Sequence, residues 1–418
     1  VSNLLLKNVI LDKSSTNILV RNGVFESLSA ADSAKADSVL DCTNLAVLPA
    51  FYNAHTHSPM TLLRGYADDR ELFDWLQNYI WPMEAKFNLE DIIAGTRLAC
   101  LEMIKTGTVF AADMYWHFPE VARTITEMGL RCCAGPIFLD AFDDSLTDPQ
   151  FEEAEKFYDS LSGFSDLLIP AIMPHSVYGA KESTLRKVSE MAERLQYPIQ
   201  IHVAETEKEV KDCLAQTGLT PFQYLDSLGL LTEKTVTVHS VHMTEDDAEL
   251  VKKRGAKIAH VPVSNMKLSS GAFRAGLFTD YLDSICLGTD GCSSNNNLSM
   301  IEEMKFASLL AKHSFECTQI FSSEVVFNFA TINGASAYGF NGGKIEKGRP
   351  ADCILVDTKS PFMTPGYDIV SDVVYSCDSS CIDTVICNGN ILMQGGIIPG
   401  EAEIIKKANK SARRITEM

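Results

Sequence analysis

Two histidines separated by one residue close an apolar run, Leu45-Ala46-Val47-Leu48-Pro49-Ala50-Phe51-Tyr52-Asn53-Ala54-His55-Thr56-His57. Side chains alternate faces along a strand, so His55 and His57 point the same way if the run is extended. Two imidazoles on one face at a strand's end can bind a transition metal. The bland alternative is a pair of half-exposed histidines in a turn. Other apolar runs end in comparable groups: Ile199-Gln200-Ile201-His202-Val203 leads to Glu205, Thr235-Val236-Thr237-Val238 to His239, and Ser284-Ile285-Cys286-Leu287-Gly288 to Asp290. Any one of these is more often structural, but together they describe a converging site. Imidazoles with one carboxylate suit Zn²⁺, with Fe²⁺ as the alternative, and disfavour Mg²⁺ or Ca²⁺. A second metal would need a bridging carboxylate, often a carbamylated lysine on the fourth strand. Pro170-Ala171-Ile172-Met173-Pro174-His175 contains no lysine, so one divalent metal is expected.

The elements that must position these groups follow from the pattern around them. From about residue 51 to 345, apolar runs alternate with amphipathic stretches. Thr108-Val109-Phe110-Ala111-Ala112, Leu167 to Ile172 and Lys257-Ile258-Ala259-His260-Val261 read as further strands, and Leu89 to Lys105 and Ser183 to Leu195 as helices. Repeated strand–helix units predict a parallel sheet, and their number predicts a (β/α)8 TIM-like barrel over 51–345. Barrel enzymes carry their chemistry at the C-terminal strand ends, where distant residues meet. The chain before about 50 and after about 345 reads as short β runs, with Asn388-Gly389 as a hairpin turn. The two ends, 1–50 and 346–418, are expected to form one small composite β-sandwich domain.

A formal charge of −19 argues against nucleic acid or an anionic membrane as partner, because phosphate contact needs a basic surface. It leaves room for a nucleoside in a pocket. The 12 cysteines show no zinc-knuckle spacing and read as reduced core thiols, which places the protein in the cytoplasm. The N-terminal run Val1 to Ile10 lacks the basic start and cleavage site of a signal peptide and reads as a strand. No apolar run has the length of a membrane span.

Several segments carry a resemblance. Asn53-Ala54-His55-Thr56-His57-Ser58-Pro59-Met60-Thr61-Leu62-Leu63-Arg64-Gly65, Ile80-Trp81-Pro82-Met83-Glu84, Ser264-Asn265-Met266-Lys267-Leu268 and Gly288-Thr289-Asp290-Gly291 with Ser294-Asn295-Asn296 are similar to the amidohydrolase superfamily. Within it they resemble the 5′-methylthioadenosine/S-adenosylhomocysteine deaminase branch. Gly348-Arg349-Pro350-Ala351-Asp352 extends the likeness into the final β segment. The resemblance implies that His55, His57, His202 and Asp290 hold the metal. It further implies that His239 bonds the water on it and that Glu205 shuttles protons. Glu84 would take ribose hydroxyls, and His175, Ser294 and Trp81 would contact the nucleoside. It also implies a homodimer or higher homo-oligomer.

That assignment implies hydrolytic deamination of an adenosine derivative: 5′-methylthioadenosine, 5′-deoxyadenosine, adenosine or S-adenosylhomocysteine. The alternatives are an aminohydrolase or chlorohydrolase of another N-heterocycle (guanine, pterin or triazine) using the same ligands, and a dead scaffold. The scaffold would be expected to have lost ligands, and none is missing. Glu205 has a competing reading as the acidic start of a helix. His242 and His260 read as structural, and His117 and His313 carry no supporting context. Between Arg131 and Arg186 there is no arginine, whereas Asp140, Asp143 and Asp144 lie there. A carboxylate tail calls for arginine, so neutral 5′ groups are expected unless a remote or neighbouring-subunit arginine reaches in. Pro49-Ala50 stands where relatives commonly have Pro-Gly, and only a local change of turn is expected there.

Overall fold

A computed structural model describes residues 3–31 and 33–417. Val1 and Ser2, which open the expected first strand, lie outside the described residues; the strand runs Leu4–Leu11. Both ends of the sequence meet in one eight-stranded sheet. In it Cys353–Asp357 lies antiparallel to Leu45–Pro49, with Cys353 opposite Pro49 and Asp357 opposite Leu45. Ile382–Cys387 and Asn390–Met393 form the expected hairpin, and both turn residues are left-handed (Asn388 φ 49°, Gly389 φ 75°), as a type I′ turn requires. The β reading of the C-terminal part needs one correction. Helices Ile369–Tyr375 and Glu401–Glu417 also lie there, the second burying Ile404, Ala408, Ser411 and Ile415 along one face.

Between the two ends the strands are parallel. Phe51–His57, Thr108–Asp113, Arg131–Ala134 and Leu168–Pro170 pair in sequence, and Asp290–Gly291 pairs on the far side of Phe51–His57. A second parallel group comprises Ile199–Val203, Thr235–His239, Lys257–His260 and Ile285–Leu287. Helices such as Leu89–Lys105, Glu182–Leu195 and Glu207–Thr217 alternate with them. Thr108–Asp113 and Ile199–Val203 are buried at every position, which is why such strands read as continuous apolar runs.

The opening run is two strands, not one. Leu45–Pro49 belongs to the eight-stranded sheet and Phe51–His57 to the parallel one. Pro49 has no N–H to extend a ladder, and beyond it Ala50 N donates to Asp352 O (3.3 Å) and Phe51 N to Gly107 O (2.9 Å). Ala50 is fully buried and is not among the positive-φ residues, so alanine fits here without the freedom of glycine. Pro49-Ala50 is therefore the point at which the chain passes from one sheet to the other.

A buried ion pair crosses the same junction. Arg131, on a parallel strand, donates from Nε to Asp352 Oδ2 (2.7 Å). Asp352 also accepts from Tyr52 Oη (2.7 Å) and from Asn388 N (2.6 Å).

Candidate active site

The C-terminal ends of the parallel strands bring the sequence-predicted groups together. His55 and His57 sit with ring centroids 4.7 Å apart, edge to face, and His55 and His202 4.9 Å apart. His55 Nε2 lies 3.2 Å from His202 Nε2, and His57 Nε2 3.2 Å from Asp290 Oδ1. A ring nitrogen of His239 falls within 4.8 Å of those of His55 and His202.

The opposite ring nitrogens fix which atoms face inward. His57 Nδ1 meets the carbonyl of Met114 and His202 Nδ1 that of His175 (2.7 Å); carbonyls only accept, so both Nδ1 atoms carry the proton. Gln200 donates its amide N–H to Ala54 O (3.0 Å) and to Tyr338 Oη, so its oxygen must accept from His55 Nδ1 (2.9 Å). Three Nε2 lone pairs and a carboxylate oxygen thus converge. Burial alone would raise Asp290, but hydrogen bonds and charge from His55 and His57 hold it well below the usual carboxylate range. Burial opposes charge on His57, yet the hydrogen bond and charge of Asp290 outweigh it and raise the group to about 9: Asp290 draws a positive charge to His57 Nε2, a place that a proton or a metal ion can take. Lone pairs facing one another at 3.2 Å beside an ionised carboxylate repel unless a cation lies among them. The donor set therefore fits a divalent metal, with histidine Nδ1 atoms held as metal-ligating imidazoles require.

Beside this cluster Glu205 is 7% exposed, its Oε2 3.7 Å from His239 Nε2. Burial first, then the charge of Asp290, raises it to about 8, so it holds a proton at neutral pH. It does lie next to the helix Glu207–Thr217, as its competing reading held, but it faces inward. The turn before it is strained, with Ala204 at φ 50°. His239 (φ 68°), at the end of its strand, and Asp290 (φ 60°), at the start of Asp290–Gly291, lie in the same left-handed region, where non-glycine residues are uncommon and tend to mark functional sites.

Of the remaining expected residues, Glu84, Trp81, His175 and Ser294 all line the cavity above the cluster. Tyr115 Oη donates to Glu84 Oε1 (2.6 Å), and burial raises Glu84 to about 7. Ser294 Oγ lies 2.9 Å from Asp290 Oδ2 and 3.1 Å from Gly291 O, both acceptors, so its proton goes to one of them and its lone pairs are left for a ligand. His242 Nε2 bonds the carbonyl of Ser270 (2.6 Å), and His260 stacks on Phe273 with centroids 4.7 Å apart. Neither lines the cavity.

Other residues in the network have no role in the sequence reading, although Ser264 and Asn265 belong to a segment that carries the resemblance. Glu209 accepts from Ala204 N (2.8 Å) and from Glu205 N (2.9 Å), and so holds the strained turn. Asn265 Oδ1 pairs with His239 Nδ1 (2.9 Å), and Ser264 Oγ donates to Asp290 Oδ2 (2.6 Å). Gln200 offered a signal, being polar inside an apolar strand. Glu209 offered none, since an acid in the first turn of a helix is common.

Site and fold define a metal-dependent hydrolase built on parallel strand–helix units. The amidohydrolase family profile matches residues 46–392, and the chain belongs to that family. It is 42% identical over 387 residues to 5-methylthioadenosine/S-adenosylhomocysteine deaminase 1 of Archaeoglobus fulgidus, covering 91% of each chain. It is 40% identical over 380 residues to the 5′-deoxyadenosine deaminase of Methanospirillum hungatei, covering 90% of this chain and 85% of that one. Among solved structures, an adenosine deaminase from Xanthomonas campestris with bound zinc superposes with a TM-score of 0.93 at 31% identity, covering 100% and 99% of the two chains. Triazine hydrolase from Arthrobacter shares the fold at a TM-score of 0.90 and 18% identity, covering 98% and 99%.

Proposed function

We propose that the protein hydrolytically deaminates an adenosine derivative to the inosine analogue and ammonia, using one divalent metal, zinc, held by His55, His57, His202 and Asp290. The observation that carries this is Glu205: a buried acid 3.7 Å from His239, beside the converging donors. The names of the relatives at 42% and 40% identity support the same reaction.

When bound, such a metal lowers the pKa of water from 15.7 towards about 7 and so supplies the nucleophile. Asp290 and His239 orient the attacking water and take its proton. Glu205 gives its proton to the ring nitrogen next to the amine-bearing carbon, so electrons can move into the ring as the C–O bond forms. The proton held by Asp290 and His239 then passes to the exocyclic amine while Glu205 takes the one left on the new hydroxyl, so the C–N bond breaks, the carbonyl forms and ammonia leaves. Glu84 accepts the ribose hydroxyls, while Trp81, His175 and Ser294 flank the nucleoside. Asn265, Ser264 and Glu209 orient His239, Asp290 and Glu205 in turn.

The scaffold in this proposal is a closed (β/α)8 barrel over 51–345, with 1–50 and 346–418 as a composite β-sandwich. Parallel bridges Ile172–Ile199 and Ser176–His202 support closure on one side, and the bond from Thr289 N to His55 O (3.0 Å) on the other. No described helix is long and apolar enough to cross a membrane, and all 12 cysteines are free thiols, which fits a reducing cytoplasm. In this reading the protein acts on a small nucleoside, and the resemblance implies a homodimer or higher homo-oligomer.

The test is ammonia release from adenosine, 5′-deoxyadenosine, 5′-methylthioadenosine, guanine and a triazine, with metal content measured on the same samples. Glu205→Gln should keep its metal and lose at least about 100-fold in kcat. Near-normal turnover in that variant refutes the role of Glu205. Ammonia from guanine or the triazine, but from no adenosine derivative, refutes the substrate class.

A further inference from the structure

We infer that Glu303 is a positioning residue for this reaction: it ties together the two turns that carry the partners of His239 and Asp290, and so fixes the pair that takes the proton of the attacking water. The inference deepens the deaminase reading above and rests on it for what that pair does. Glu303 stands in the first turn of the helix Met300–Phe315, where an acid is common. Its surroundings are not those of a capping acid. Ser299 already caps that helix, accepting from Glu302 N, and Glu303 is 0% exposed. Its hydrogen-bond partners are both uncharged: Val263 N donates to Oε2 (3.3 Å) and Asn295 Nδ2 to Oε1 (2.6 Å). Both lie just beyond parallel strands, Lys257–His260 and Ile285–Leu287. A carboxyl group kept dry between neutral donors costs stability that a surface position would spare.

Each contact leads to the proposed base by a short path. Val263 is the second residue of the helix Pro262–Lys267, and the first N–H groups of a helix have no partner within it. The next two residues are Ser264, which donates to Asp290 Oδ2 (2.6 Å), and Asn265, whose Oδ1 meets His239 Nδ1 (2.9 Å). Asn265 Nδ2 has no hydrogen-bond partner among the described residues, so this amide takes its place from the helix that carries it. On the other branch, Asn295 Nδ2 also donates to the carbonyl of Thr289 (2.7 Å), the residue before Asp290. A carbonyl oxygen only accepts, so Nδ2 is the donor in both contacts and both oxygens of Glu303 are acceptors. Glu303 does not line the cavity and acts through these turns. A glutamine in its place would aim its NH2 at one of the two N–H donors and release one turn.

The experiment compares Glu303→Gln with wild type by two measurements: ammonia release from adenosine, and the visible absorption of the Co²⁺-loaded protein without substrate. The variant should lose about tenfold to 100-fold in kcat, with KM within about threefold and metal content unchanged. Cobalt bands follow the geometry of the ligands, so they should shift at equal cobalt content. In an Asn265→Ala background the same substitution should cost at least about threefold less than in the wild type, because residues of one network do not add. Equal factors in the two backgrounds, or unmoved cobalt bands, overturn the role of Glu303 and leave it a structural acid. If Glu303→Gln does not fold, Asn295→Ala cuts the Thr289 branch alone. Shifted bands with a lower kcat then support the proposal, and wild-type values of both overturn it. Bands that shift in a protein releasing no ammonia from any adenosine derivative keep the link from Glu303 to the site and overturn the deaminase reading.

Discussion

Glu84 shows how one side chain can set a pH response. It is raised to about 7 by burial, partly offset by the Tyr115 hydroxyl that donates to it. In the proposed pose ribose hydroxyls donate to Glu84, so they favour the ionised carboxylate over the acid. The folded free enzyme therefore gives up a proton on binding substrate below about pH 7, and binding strengthens as pH rises to that point. KM for adenosine should drop about tenfold between pH 6 and 8 and level off above, since one pKa unit corresponds to a factor of ten. Glu84→Gln should remove the slope, as should a substrate lacking both ribose hydroxyls. A KM that stays flat in the wild type, measured apart from kcat, would remove Glu84 from the ribose site.

At the scale of elements, the turn that leaves a strand is as important as the strand. Ala204 is held in the left-handed region, where a non-glycine residue is strained. Glu209, four residues along and inside the next helix, spans the turn with both carboxylate oxygens on the N–H groups of Ala204 and Glu205. A glutamine there would turn its NH2 towards one of those donors. Glu209→Gln should lower kcat by about tenfold to 100-fold, with KM for adenosine within about threefold and metal content unchanged. Glu209→Asp, which keeps two acceptors, should recover part of the loss. Equal losses in kcat and metal content would instead mean general damage to the strand end. The strands themselves were legible: Ile199–Val203 was read at its observed limits, and Thr108–Asp113 and Thr235–His239 to within one residue. Buried parallel strands announce themselves as apolar runs. What escaped were the helix Glu401–Glu417, whose buried face is diluted by lysine and glutamate, and the side chains that orient the site. Glu209, Asn265 and Ser264 act through partners distant in sequence or through a turn conformation, and neither leaves a periodic trace.

For the molecule as a whole, Asp352 joins the sheet built from both sequence ends to the strands that carry the site. It is 1% exposed and takes hydrogen bonds from Arg131, Tyr52 and Asn388. Removing one partner of a buried pair leaves the other charged and dry, a cost of about 3–5 kcal/mol. Asp352→Ala should therefore lower the unfolding midpoint in urea far more than any exposed substitution. Arg131→Met with Asp352→Leu together should recover much of the loss. A single variant as stable as wild type would show that the two sheets hold together without this pair.

The hand-over at Pro49 has a consequence in time as well as in space. His55 and His57 leave the ribosome early, yet the strand before them, Leu45–Pro49, pairs with Cys353–Asp357, made some three hundred residues later. Until those residues are made, the strand before the two imidazoles proposed as metal ligands has a partner on one side only, Leu4–Leu11. Contacts so distant in sequence form late because the loop must close first. In the order of synthesis, the partner that anchors this strand thus follows all four residues proposed to hold the metal, Asp290 being the last of them.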